Sequence, residues 1–166
     1  MNAKRMSDPP KKKHKANARP IVVTPLTESE RRLRAASEFA KARAYLDELE
    51  KISVIKNIAI ARVHLAYYAM HHCACAAILM SGGVGKLLDF PKSHQHVLEH
   101  FAKIVAGEPG YLAAAGQALS RAKRLREMGD YEMDQNPSQA EADEAAEEAF
   151  TFLAACSARW DLPAKI

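Results

Sequence analysis

An all-α fold, an up-and-down bundle of four to five helices behind a disordered basic N-terminal tail, is predicted by three features of this 166-residue chain. Alanine is abundant, glycine is scarce, and aromatic residues make up 7% of the chain, a composition that favours helix over strand. Apolar residues recur at three- and four-residue spacing along most of the chain from Leu33 onward, the period of a helix with one buried face. The one run of strand-forming residues, Ile21-Val22-Val23-Thr24, stops at Pro25 and reads as an extended lead-in. A chain of this size is one ordinary domain that buries a full core without staples.

The net charge of +4 is unevenly spread. Lys4, Arg5, Lys11, Lys12, Lys13, Lys15 and Arg19 face only Asp8, so residues 1–20 carry +6 and the remainder −2. A Pro- and Lys-rich segment of this kind builds no core, so residues 1–26 form a tail, either simply solvated or adding salt-sensitive affinity for phosphate. The bundle then spans 27–158, with a second tail at 159–166. Three cysteines make no even disulfide framework, and no early apolar stretch is long enough for a secretory signal or an anchor. A cytoplasmic protein away from the membrane is expected.

Thr27 with Glu30 fits a capping box that opens the first helix, whose inward stripe is Leu33, Ala36, Phe39, Ala40, Leu46, Leu49 and Ile52, with Glu38 among the outward charges. The chain reverses near Ser53 and enters a second helix that runs to a Ser81-Gly82-Gly83 stop. At about 100° per residue, Ile55, Ala59, Val63, Ala66, Met70, Cys73 and Ala77 share one arc, while His64, Tyr68, His71 and Cys75 lie opposite, flanked by Tyr67 and His72. No charged face remains after Arg62, which marks either the centre of a bundle or the wall of an interface.

After a loop over 82–92, Ser93 caps a short third helix that buries Val97, Leu98, Phe101, Ile104 and Val105, broken by Gly107, Pro109 and Gly110. A fourth helix runs from about Tyr111 to Met128, with Leu112, Ala115, Leu119, Ala122 and Leu125 inward and Gly129 as its stop. Its basic residues Arg121, Lys123, Arg124 and Arg126 either line a groove for RNA or pair with the acidic last helix. That last helix opens on a second capping box, Ser138 with Glu141, and turns Ala142, Ala145, Ala149, Phe152, Leu153 and Cys156 inward.

Three stretches carry chemistry. They are Tyr67-Tyr68-Ala69-Met70-His71-His72, then Lys92-Ser93-His94-Gln95-His96-Val97 running to Phe101, then Arg126 followed by Gly129-Asp130-Tyr131. Read locally, Arg126 pairs with Asp130 at the helix end and Tyr131 plugs the bundle. In order and spacing, however, the three resemble the HEPN family of small helical bundles, in its short bacterial single-domain branch, over about residues 30–158. The family's second-helix motif reads Tyr-Tyr-Ala-Met-Phe-His, so His71 departs at the Phe position while His72 keeps its His.

The resemblance implies a bundle, often dimeric, in a family that includes metal-independent ribonucleases and toxins paired with small nucleotidyltransferases. Active members carry an Arg followed by four to six residues and then a His. Here all seven histidines lie at or before His100, and Tyr131, Glu132 and Met133 occupy those positions. A phenol is a poor substitute for imidazole as an acid or base near neutrality. The expected function is therefore RNA or nucleotide binding through Arg126, Asp130, Tyr131, Tyr67, Tyr68 and Lys92, with Arg126 gripping phosphate and Tyr131 stacking on a base. The alternatives are an endoribonuclease using Arg126 with His94 or His72, and a module recognised by a nucleotidyltransferase partner. A homodimer is expected, and no cofactor. Despite His96 and His100 at a four-residue spacing and the cluster of His71, His72, Cys73 and Cys75, no metal is expected, because no CxxC or HExxH is present.

Overall fold

The computed structural model describes residues 25–55, 57–82, 93–131 and 135–162. Five helices follow in order, α1 Glu28–Lys51, α2 Ala59–Met80, α3 His94–Val105, α4 Leu112–Tyr131 and α5 Gln139–Trp160, with no strand among the described residues. The basic tail and the lead-in over 21–24, the loop that carries Lys92, and the last four residues lie outside the described residues.

The starts of α1 and α5 are fixed locally. Thr27 and Ser138 each accept a hydrogen bond from the third helical amide, and Glu30 and Glu141 accept one back from the cap amide, so both expected capping boxes form. Ser93 caps α3 in the same way through the His96 amide. By contrast α2 has no side-chain cap. It begins at Ala59, later than the periodicity suggested, which leaves Ile55 half-exposed in the connection instead of on the core face.

The centre of the bundle is α2, which packs against every other helix, most extensively against α1 and α5. Every residue from Cys73 to Leu79 is buried, as are Tyr67 and Cys75 on the sides away from the main apolar arc. A helix covered on most of its surface needs no charged face. It is long and apolar enough to cross a membrane by length and composition, but 67% of that window is buried inside the protein, as in a core helix. Small residues make the close approach possible, with Ala142, Ala145 and Ala149 of α5 buried alongside Ala66, Ala74 and Ala77 of α2. Phe101 of α3 and Phe152 of α5 meet at 5.0 Å between ring centroids, and burying a ring of this size contributes roughly 1.5–3 kcal/mol. All three cysteines are free and buried in this core.

Three expectations are corrected. Leu33 is 71% exposed, because it lies six residues before Phe39 and so about 120° from the stripe made by Ala35, Phe39, Ala42 and Leu49. Glu38 falls within that stripe and is only 8% exposed, its charge met by His72 of α2. The C-terminal boundary extends beyond 158, since α5 reaches Trp160, and Trp160 and Leu162 are buried.

Candidate functional site

The end of α4 determines where the site residues lie. Gly129 does not stop this helix, which continues through Asp130 to Tyr131. A Cβ at residue 129 would sit 3.3 Å from Ile60 Cγ2 and 3.6 Å from Pro137 Cδ, so the glycine lets α4 approach the start of α2 closely. The unbroken turn puts Arg126 and Asp130 at positions i and i+4, on one face. Arg126 Nη2 lies 2.7 Å from Asp130 Oδ2.

Around the guanidinium stand three phenol rings, with Arg126 Cζ 5.9 Å from the centroid of Tyr67, 6.0 Å from Tyr68 and 5.9 Å from Tyr131. Such distances allow cation–π attraction, stronger where water is excluded. The Arg126 side chain is 16% exposed, and its buried Nε has no hydrogen-bond partner. The rings differ in access. Tyr131 is 73% exposed, Tyr68 is partly buried, and Tyr67 has no exposed surface. Tyr67 was expected to touch a ligand, and with no surface it instead supports the site from beneath.

His94 joins from the start of α3. Its ring stacks on His71 at 4.3 Å and on Tyr67 at 5.7 Å, and its Nδ1 is hydrogen-bonded to the Tyr67 hydroxyl. Burial raises the Tyr67 phenol above its ordinary value, so Tyr67 keeps its proton, and the direction of the hydrogen bond follows the tautomer of His94. Burial, followed by the charges of Arg126 and Lys123, lowers the affinity of His94 for a second proton. Burial and then His94 push His71 down to about 3.

His72 points instead to α1. Its Nδ1 is 2.6 Å from Glu38 Oε2 and its ring stacks on Tyr45 at 5.6 Å. Burial raises the Glu38 carboxyl, but hydrogen bonds from His72 and Lys41 outweigh it and leave the group below its ordinary value. Of the other basic residues of α4, Arg121 pairs with Glu148 of α5, and Lys123 with Glu127 of its own helix. Folding therefore joins Arg126, Asp130, Tyr67, Tyr68, Tyr131 and His94, while His72 is anchored to α1 and Lys92 lies outside the described residues.

His64, Glu38 and Tyr45 belong to this cluster without having been singled out as site residues. The sequence carried a signal for His64, which stands four residues before Tyr68 and so on its face of α2. Two open clefts, of about 590 Å³ between α3 and α4 and about 560 Å³ beside the α1–α2 turn, are lined by none of the ring cluster. The site is a surface of stacked rings around the Arg126 guanidinium. Neither a protein-family model, nor a curated protein, nor a solved structure matches this chain.

Proposed function

We propose that the bundle binds single-stranded RNA or a nucleotide at the end of α4, with Arg126 meeting a phosphate, Tyr131 stacking on a base and Asp130 orienting the arginine. One observation carries this reading: a largely buried guanidinium, bound to a single carboxylate, stands beside a tyrosine ring that is 73% exposed. A planar fork of donors matches phosphate, and an exposed ring offers a platform to any base. The resemblance to the HEPN family points the same way. Tyr68, His64, His71 and His72 keep part of their surface in solvent, and that face is where a second copy would dock to form a dimer.

Hydrolysis is a second reading, favoured by the position of His94 within the field of Arg126. An exposed Tyr131 phenol likewise leaves room for a nucleotidyltransferase partner to reach the site. A fluorescein-labelled single-stranded RNA, followed by anisotropy in EDTA, separates the three. A binder gives salt-dependent affinity without cleavage. Arg126→Ala then weakens binding by about tenfold or more, and Tyr131→Ala loses the stacking contribution of about 1–3 kcal/mol that Tyr131→Phe retains. Cleavage that disappears in Arg126→Ala would establish the enzyme, and neither binding nor cleavage would leave the partner-recognition reading.

A further inference from the structure

Asp130 has two oxygens and both are engaged. Oδ2 lies 2.7 Å from Arg126 Nη2, and Oδ1 lies 2.7 Å from His64 Nε2. The three side chains come from two helices, His64 from the second turn of α2 and the other two from the end of α4. All are partly or largely shielded from water, at 33%, 20% and 16% exposure for His64, Asp130 and Arg126. The His64 contact is short but not directed as a hydrogen bond, so its strength depends on charge. The groups facing His64 are Asp130, Arg126 beyond it on the same carboxylate, and Tyr68 of its own helix, edge-on at 6.4 Å.

We infer that His64 is a positioning residue for Arg126, acting through the carboxylate they share, so that the charge on its imidazole sets how much of the guanidinium's charge is left for a bound phosphate. This rests on the reading of Arg126 as the phosphate-binding group. With His64 neutral, Asp130 and Arg126 cancel and an incoming anion must compete with the carboxylate. When His64 takes a proton, one negative charge is divided between two cations, the cluster carries a net +1, and Arg126 is freer to turn to the ligand. Imidazole is the side chain that makes this change within the physiological range. One added charge several ångströms from a partly hydrated anion alters affinity on the order of fivefold.

The test is the affinity for fluorescein-labelled oligouridylate, by anisotropy at constant ionic strength, between pH ~7.5 and pH ~5.5. The full chain is expected to bind on the order of fivefold more tightly at the acid end. His64→Gln, compared with itself across the same range, should stay flat on acidification, while His94→Gln keeps the acid gain. An acid gain that persists in His64→Gln overturns the inference. A second measurement is independent of RNA: in NMR spectra of the free chain, Asp130→Asn and Arg126→Ala should each displace the His64 ring signals, and signals unmoved by both also overturn the inference. Loss of the underlying phosphate reading looks different, because Arg126→Ala would then bind the RNA as well as the wild type while the NMR coupling of His64 to Asp130 survived.

Discussion

His71 is a neutral imidazole pressed against another. Burial, and then the neighbouring His94, push its proton affinity down to about 3 from an ordinary value of 6.5. An unfolded chain takes up that proton near 6.5, so between the two values the unfolded state holds more protons than the native one. Stability is therefore full above about pH 6.5 and declines as pH falls, by at most about 1.4 kcal/mol per pH unit from this residue. His94, lowered for the same reason, acts in the same direction. His71→Phe, which keeps a ring in the stack but cannot take a proton, should flatten the decline. Urea midpoints at pH ~7 and ~5 measure it, and an equal acid loss in both proteins would assign the effect elsewhere. Nothing in the sequence revealed this stack, because His94 reaches His71 only once α3 folds across α2.

Among the elements, α4 shows how one residue type can serve two purposes. Gly129 reads as a helix stop, yet it lies inside the helix because Ile60 packs against its backbone. An alanine there would gain about 1 kcal/mol of helix propensity but would bring its Cβ to 3.3 Å from Ile60. The gain should therefore appear in full only in an Ile60→Ala background, and a double-mutant cycle by chemical denaturation measures the difference. Equal gains in both backgrounds would mean that α4 and α2 are not in tight contact there. The capping boxes at Thr27 and Ser138 were legible because cap and partner stand three residues apart. The Glu38–His72 pair was not, since its members stand 34 residues apart and Glu38 alone reads as an outward charge. The candidate site falls between these cases. Arg126 and Asp130 were legible as a local pair, whereas the roles of Tyr67 as a buried support and of His64 as a second claimant on Asp130 depend on how two helices meet.

For the whole molecule, the decisive property is the small size of many of its buried side chains. Both α2 and α5, which pack against each other, carry several buried alanines, and small side chains let helices lie close together. Ala149 is fully buried, so a larger side chain there must displace its neighbours. Ala149→Leu should destabilise the fold by about 1–3 kcal/mol or more through overpacking, read as a lowered denaturation midpoint with an unchanged slope. No loss of stability would show that the helices are looser than the burial implies. The same rigidity keeps the ring cluster in place, since Tyr67 and His71 project from the buried helix whose other side meets α5.

Cys73, Cys75 and Cys156 are all sealed in the interior and none is paired in a disulfide, so the chain carries its own gauge of transient opening. A small thiol reagent can react only when the bundle parts, because burial raises the thiols of Cys73 and Cys75 above their ordinary range and leaves little reactive thiolate in the closed form. Labelling without denaturant should therefore proceed at a rate set by the rare open population, and it should slow further if an RNA ligand clamps the end of α4 onto α2. Rapid modification of all three under native conditions would show that α5 swings away from its neighbour far more often than its packing implies.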